Sequence, residues 1–175
     1  LYIDFEGDST EGWFNLNWEG HPPADIEITN ETASTGNQSL GYLNRPENSR
    51  LAYNLGEKLT PGGIYNISFD VKLKEGTTNV VFASKYVYPG TDNEYPWLIN
   101  PTEANADEWV TLTLENFEYE YGATELLVWI QTQTGDEATA NDFYLDNFSV
   151  IQVGMMEEPD DLEDIPEDER VAVFT

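Results

Sequence analysis

The chain has 175 residues, of which 34 are acidic and 7 are basic, and it contains no cysteine. This length fits a single domain that buries a core without crosslinks, and the absence of cysteine excludes disulfide and thiol chemistry. The acidic excess favours a neutral polymer or a hard cation such as calcium as the ligand. It argues against nucleic acid, anionic membranes and polyanionic glycans such as alginate or pectate, which demand clustered Lys and Arg.

Short apolar or aromatic runs, separated by Gly, Pro, Asn and Asp clusters, predict β-strands throughout the body of the chain. The alternation is clearest where Ile67, Phe69 and Val71 are interleaved with polar residues. No stretch shows a helical period with caps. In chain order, the predicted strands cover residues 2–6, 13–18, 25–29, 38–44, 50–55, 64–73, 79–88, 110–114, 124–133 and 142–152. Ten short strands predict an all-β fold, namely a β-sandwich jelly roll.

The composition changes at about Gly154. Residues 154–170 contain nine acidic side chains and two prolines, which is typical of a linker or a disordered tail. We therefore predict one module over residues 1–153 and an acidic linker or disordered tail over residues 154–175, with a further domain beyond it. No apolar run approaches the roughly 18 residues that cross a bilayer, so membrane insertion is not expected.

The predicted strand 124–133 carries large side chains on both faces. Leu126, Val128 and Ile130 share one parity and form a core face, whereas Trp129 and Gln131 share the other. An indole ring offers a flat apolar surface to the C–H face of a sugar, and an amide can bond its hydroxyl groups. Trp129 and Gln131 are therefore predicted to contact carbohydrate. The alternative is that both faces are covered and that Trp129 belongs to the core.

Further aromatic residues fall where the rim of a cleft is expected. Tyr86 lies towards the end of the predicted strand 79–88, and the predicted loop 89–101 adds Tyr95 and Trp97. Trp18 is a candidate near the N-terminus. Amphipathic rings often mark binding surfaces, so these four residues are predicted ligand contacts. Ordinary anchoring of the loop by its aromatic residues is the alternative explanation.

Catalytic chemistry finds little support in the sequence. The single histidine, His21, sits in a Gly-His-Pro-Pro turn, and no nucleophile can be paired with it. Glycoside hydrolysis needs two carboxylates across a cleft. Glu118 and Glu120 alternate with tyrosines and form a candidate pair, but a solvated strand end explains them equally well. We therefore expect a protein that is not an enzyme.

A calcium ion is compatible with the carboxylates at the two ends of the body. Calcium takes six to eight oxygen ligands from carboxylates, carbonyls and water. Asp4, Glu6 and Asp8 lie in the first segment, and Asp142 and Asp146 lie near the last strand. First and last strands are often neighbours in a sandwich, so a metal there would tie the two ends of the domain together.

Five sequence segments occur in a characteristic order. They are DFEG at 4–7 with GW at 12–13, TGNQSL at 35–40, LTPGGIYNISFDVK at 59–72, EWVTL at 108–112 and DFYLDNFSV at 142–150. Together they resemble the carbohydrate-binding modules of families 4, 9 and 22. The resemblance covers roughly residues 1–152 and is nearest to the xylan-binding, family 22-like modules.

The resemblance implies a jelly roll that binds xylan or another neutral β-glycan and is covalently joined to a glycoside hydrolase, often a family 10 xylanase. Such a module is ancillary and non-catalytic, and it targets the enzyme to plant cell wall polysaccharide. It implies a monomer that is secreted or extracellular, with cell-surface attachment as a variant. The acidic segment after residue 153 resembles the junction to the enzyme.

The resemblance also implies roles for individual residues. A structural Ca²⁺ in these modules uses a Glu, carbonyl groups and an Asp that correspond to Glu6, Asn37 and Asp146. The residues that correspond to a cleft Tyr and Glu are Trp129 and Gln131, and another usual contact corresponds to Tyr95.

One part of the pattern departs from the family. An Arg followed shortly by a Trp is expected after SL. This chain has Arg45 and Arg50 but no Trp between them. Arg45 therefore remains a candidate ligand contact, and Trp18 or Trp97 is a candidate for the missing aromatic platform.

Two other classes of function compete with a binding module. A structural or protein-interaction jelly-roll domain of a multidomain cell-surface enzyme would leave Trp129 and Tyr95 buried or scattered, with no continuous groove. A small β-sandwich glycanase would place two carboxylates across a cleft.

Overall fold

Twelve strands form two antiparallel six-stranded sheets in the computed structural model, which describes residues 1–16 and 22–159. The predicted all-β sandwich is confirmed. Trp18, His21 and residues 160–175 of the predicted linker lie outside the described residues. Within the described part, no helix is long and apolar enough to cross a membrane.

Sheet A contains the first and the last strand of the chain. Its strand order is β3-β4-β12-β6-β9, and β1 also pairs with β12. The strands are β1 (Tyr2–Ile3), β3 (Asp25–Thr29), β4 (Ser39–Leu43), β6 (Gly63–Leu73), β9 (Val110–Glu118) and β12 (Phe143–Met155).

Sheet B has the strand order β2-β5-β10-β7-β8, and β11 also pairs with β10. A 3₁₀ helix, Leu55–Lys58, follows β5. The strands are β2 (Phe14–Leu16), β5 (Arg50–Tyr53), β7 (Thr77–Val87), β8 (Trp97–Asn105), β10 (Glu125–Thr134) and β11 (Glu137–Thr139).

Two strands were not predicted from the sequence. Strand β8 begins at Trp97, inside the predicted loop 89–101, and it contains Pro101. Proline cannot donate to a ladder and is found mainly on edge strands. Strand β8 is such an edge, because it pairs with β7 at the end of sheet B. Strand β11 has three residues and pairs with the end of β10.

The core lies between the sheets and is rich in aromatic rings. On β6 the burial alternates strictly, so Ile67, Phe69 and Val71 point inwards as predicted. The Phe69 ring lies 5.1 Å from that of Phe82 on β7, which joins the two sheets. Complete burial of each such side chain contributes roughly 1.5–3 kcal/mol.

Arg45 also belongs to this interior, which corrects its prediction as a ligand contact. It follows β4 and is 7% exposed. Its Nη1 donates to Thr132 Oγ1 at 2.9 Å and to the Asn141 carbonyl at 2.6 Å. Its Nη2 donates to the Ser49 carbonyl at 2.7 Å. Arg45 therefore links the end of β4 in sheet A to β10 in sheet B.

The Arg45 guanidinium lies between two rings. Its central carbon is 5.1 Å from the ring centroids of both Tyr42 and Phe143. Burial lowers the pKa of Arg45 to about 10, so the side chain stays charged at neutral pH. A cation that is held by carbonyls and stacked on rings is a structural element, and its N–H groups face the protein.

Arg45→Ala is expected to lower the free energy of unfolding by about 3 kcal/mol, because two buried carbonyl groups lose a charged donor. Urea unfolding followed by tryptophan fluorescence measures the change. Lys74→Ala, at an exposed position after β6, is the matched control and should stay within about 0.5 kcal/mol of the parent chain. Equal stability of the two variants would contradict a structural role for Arg45.

Candidate functional site

The side of sheet B that faces away from the core, here called the outer face, carries its own apolar cluster. The buried members are Ala52, Val81, Ala83 and Trp129, and the partly buried ones are Phe14, Leu16 and Leu127. A fully solvated face would carry polar residues instead. The outer face is therefore apolar at its centre, and the buried members of the cluster are covered rather than open to solvent.

A line of paired residues crosses the middle of this face from one edge of the sheet to the other. Neighbours in the line are Cα partners, and we call it the central row: Phe14, Ala52, Trp129, Ala83 and Trp97. Adjacent strands lie about 4.8 Å apart, so Trp129 and Trp97 are separated by about 10 Å. The alanines on either side of Trp129 add no bulk next to its ring.

Trp129 forms the floor of the central row. Its indole faces outwards, as the parity predicted, but the residue is only 6% exposed. The Nε1–H donates to Gln131 Oε1 at 2.8 Å. The Arg50 guanidinium carbon lies 5.0 Å from the Trp129 ring centroid, within cation–π range. The centre of the outer face therefore presents Arg50 and amide groups above a covered indole.

Tyr95 and Trp97 are exposed on the same face. Tyr95 is 62% exposed and Trp97 is 49% exposed. Tyr86 forms a bridge with Glu94, and Ala83 pairs with Trp97, so the intervening Tyr95 lies opposite Lys85. Residues two apart on a strand share a face. The two rings, here called the exposed pair, therefore lie side by side at the β8 edge.

Tyr86 lies in the core rather than on the rim of a cleft. It is 5% exposed, and its ring stacks on Tyr88 at 5.5 Å and lies 6.4 Å from that of Tyr119. Burial raises the pKa of Tyr86 far above its usual value, and the nearby Tyr88 and Glu120 add to the shift. The core extends to the end of the sandwich through these tyrosines, so Tyr86 does not offer its ring to a ligand.

Two cationic side chains of this face were missed in the sequence. Arg50 sits two residues from Ala52, and Lys85 sits two residues from Ala83. Each therefore shares the face of its alanine. The signal was available in the parity of β5 and β7, but Ala52 and Ala83 could be assigned to the outer face only after the register with Trp129 was known.

The predicted metal ligands hold the loop between β3 and β4. Glu6 Oε1 accepts the backbone N–H groups of Asn37 at 2.8 Å and Gln38 at 2.9 Å. Asp146 Oδ2 accepts those of Ser34 at 2.8 Å and Thr35 at 3.2 Å. Glu6 and Asn37 are thus brought together, and Asp146 holds the preceding part of the same loop.

Oxygen atoms converge beside Glu6. The Gln38 side-chain amide lies 3.1 Å from the carbonyl oxygens of both Phe5 and Glu6. In one orientation its NH₂ donates to both carbonyls. In the other, its oxygen faces the two carbonyl oxygens, and such an all-oxygen set suits calcium. No group of three His, Cys, Asp or Glu side chains converges in residues 1–16 and 22–159, so an ion there would need carbonyl and amide oxygens.

An antiparallel β-sandwich with exposed aromatic rings and amides on one face defines the class of a small binding module. Residues 1–140 match the family model CBM_4_9, described as a carbohydrate binding domain. The chain belongs to this family of carbohydrate binding domains, which are non-catalytic. The comparison with curated proteins gives no match.

Solved structures with the same fold include several xylan-binding modules. The CBM22-1 xylan-binding domain of Paenibacillus barcinonensis Xyn10C is 25% identical, with a TM-score of 0.74 over 87% of this chain and 93% of that one. The C-terminal family 22 module of Clostridium thermocellum Xyn10B is 24% identical, with a TM-score of 0.69 over 90% and 95%.

A third structure shows such a module within a longer chain. It holds the CBM22-1 and GH10 modules of Clostridium thermocellum xylanase 10B with xylohexaose. It is 19% identical, with a TM-score of 0.72 over 87% of this chain and 28% of that one. The recognised family and fold, nearest to family 22-like modules, are confirmed.

Trp129→Ala and Trp97→Ala should differ strongly in stability, because one ring is buried and the other is half exposed. Truncation of Trp129 is expected to lower the free energy of unfolding by about 3 kcal/mol. Truncation of Trp97 is expected to cost less than about 1 kcal/mol. Urea unfolding followed by circular dichroism measures both. Similar costs for the two variants would contradict the assignment of Trp129 as a floor.

Proposed function

We propose that the chain binds xylan, or a closely related neutral β-glycan, on the outer face of sheet B. The observation that carries this proposal is the exposed pair, Tyr95 and Trp97, on the same face as the Trp129–Gln131 hydrogen bond. Half-exposed rings can stack on the C–H faces of sugars. The neighbouring amide of Gln131 is partly exposed and can hydrogen-bond to hydroxyl groups.

The floor and the exposed pair have different tasks in this proposal. Trp129 orients Gln131 through its Nε1–H and carries the Arg50 guanidinium. Its ring is too covered to serve as the main stacking surface. Tyr95 and Trp97 provide the main stacking surface at the β8 edge. Trp97 thereby supplies the aromatic platform that the sequence lacks after Arg45.

The competing class is a structural or protein-interaction domain, and the burial of Trp129 favours it. That class also expects aromatic residues that are scattered or covered. The exposed pair lies instead on one face and in register with the central row, which favours a ligand. A protein partner on the same face would be met by the same rings, so the ligand test below separates the two classes.

The proposed setting is a secreted or extracellular multidomain enzyme, with the chain as a monomeric ancillary module. It would bring a covalently attached glycoside hydrolase, such as a family 10 xylanase, to plant cell wall polysaccharide. The support is the Clostridium thermocellum relative, in which a CBM22 module and a GH10 module share one chain.

Tyr95→Ala and Trp97→Ala are each expected to weaken binding of xylohexaose at least about fivefold, because loss of an anchoring ring commonly costs more than 1 kcal/mol. Isothermal titration calorimetry measures the affinity, and affinity electrophoresis on xylan, barley glucan and mannan ranks the polymers. Tyr2→Ala is the control, since Tyr2 is 60% exposed but lies on sheet A.

A parent chain that none of the three polymers retards would refute a β-glycan ligand. Retardation that both ring variants retain would move the binding site away from the exposed pair. Release of reducing sugar by the purified chain would support the glycanase alternative instead.

We further propose that a structural Ca²⁺ ion is held beside Glu6, Asn37 and Asp146. The donors available there are carboxylates, the Phe5 and Glu6 carbonyls and the Gln38 amide oxygen. The ion would neutralise carboxylate charge and fasten the loop between β3 and β4 to the N-terminal segment. This role is structural and lies on sheet A, apart from the outer face of sheet B.

Chelation with EDTA is expected to lower the Tm by about 5–10 °C if calcium is present at about 100 times its Kd, because only the native state binds the ion. Differential scanning calorimetry measures the shift. Glu6→Gln should remove most of this chelator effect, whereas Asp8→Asn, an exposed carboxylate nearby, should keep it. An unchanged Tm in EDTA, with metal-free protein confirmed by elemental analysis, would contradict the calcium proposal.

A further inference from the structure

The few basic residues of this chain are distributed unevenly. The chain has 7 basic residues against 34 acidic ones. Arg45 is interior, and Lys72 lies on the far side of sheet A, where it pairs with Tyr144. The outer face of sheet B nevertheless carries two cations, Arg50 and Lys85. Two of the few basic side chains therefore lie near the exposed aromatic rings. This face can attract a negatively charged group, whereas the molecule as a whole repels one.

The strand positions of Arg50 and Lys85 lie on opposite sides of the central row. Lys85 pairs with Leu127 and lies opposite Tyr95, so it falls on one side of the row. Arg50 pairs with Leu16, two residues along β5 from Ala52 of the central row. Its strand position therefore lies on the side of the row opposite to Lys85. The Arg50 guanidinium reaches back over Trp129, so a linear glycan lying along the row would pass over it and would have Lys85 beside one edge.

Arg50 is held in a defined place by Trp129. Stacking occupies a flat face of the guanidinium, 5.0 Å from the ring centroid. The N–H donors of a guanidinium lie in its own plane, in a fork that matches the two oxygens of a carboxylate. A guanidinium has five such donors, so Arg50 can engage more than one acceptor group while it stays stacked on Trp129.

Lys85 is also suited to receive a negative group. Within residues 1–16 and 22–159, its ammonium has no ion pair or hydrogen bond to another side chain. Among the described residues of the paired strands, two acidic residues share the outer face. Glu125 pairs with Val87, two residues beyond Lys85, and Glu103 pairs with Asn79 on the opposite side of the row. The carboxylates thus lie at the ends of the face, and the cations lie nearer the central row.

The net charge of −27 does not cancel this local preference. At physiological ionic strength the Debye length is about 8 Å, so most of the acidic surface is screened from the central row. A polymer charged at every sugar would still meet the acidic ends of the face. A neutral backbone with occasional carboxylates would meet mainly Lys85 and Arg50.

We propose that this face selects xylan whose neutral backbone carries uronic-acid side groups, with a side-group carboxylate meeting Lys85 or Arg50. The backbone lies along the central row and stacks on the exposed pair. A side group meets Lys85 beside the row or Arg50 above Trp129. This inference rests on the proposed xylan-binding function and names the chemistry that would distinguish one xylan from another.

Calorimetry with two oligosaccharides of equal length tests the inference. One is linear xylohexaose, and the other carries a single glucuronic acid side group. The charged ligand is expected to bind roughly two- to fivefold more tightly at about 20 mM NaCl, because an exposed ion pair contributes up to about 1 kcal/mol. This advantage should disappear at about 500 mM NaCl, where charges are screened.

Lys85→Gln and Arg50→Gln should each reduce the preference for the charged ligand, and affinity for linear xylohexaose should change less. Lys72→Gln, on the opposite sheet, should keep the preference. Circular dichroism confirms the fold of each variant, and Lys85→Gln alone suffices if Arg50→Gln does not fold. Equal affinity for both ligands in the parent chain overturns the inference and leaves xylan binding intact. Failure to bind either ligand overturns the proposed function itself.

Discussion

Strand β10 carries large side chains on both of its faces, and the rest of the structure depends on this constraint. Its inward residues, Val128 among them, complete the core between the sheets. Its outward residue Trp129 forms the floor of a second cluster. Because β10 lies between β5 and β7, both neighbours must fit their side chains to that indole. Ala52 and Ala83 are small at those positions, and Arg50 covers the ring.

The period of two could be read from the sequence, but the depth of burial could not. Parity placed Trp129 on the outer face correctly, because side-chain direction is a local property of a strand. Whether the ring is covered depends on Arg50, and that contact comes from the register between β5 and β10. The prediction of Tyr86 as a ligand contact was wrong for a related reason. Its parity with Phe82 marks the core face, and the core reaches the strand end through Tyr88 and Tyr119.

Strand β8 could not be predicted from its sequence pattern. It carries polar residues and Pro101, and as an edge strand it tolerates both. Its ladder with β7 contains irregularities next to Phe82, so the pairing cannot be extrapolated by counting residues. The position of Tyr95 opposite Lys85 follows only from the observed pairs on either side. The all-β class was therefore predictable, and Tyr95 and Trp97 could be named as candidates, whereas their strand pairing and their neighbour Lys85 could not be read from the sequence.

The family defines the scaffold, and the side chains on one face define what the scaffold binds. The packed core and the hydrogen bonds by which Glu6 and Asp146 hold the loop between β3 and β4 belong to the scaffold. They stabilise the fold whatever ligand is bound. The outer face differs, because what it contacts depends on the side chains it presents, and here a guanidinium stands above the Trp129 indole. A stacked guanidinium keeps a flat surface for a sugar and adds directed donors. The proposed preference for xylan with charged side groups depends on this second property, whereas the proposed binding of a neutral backbone does not.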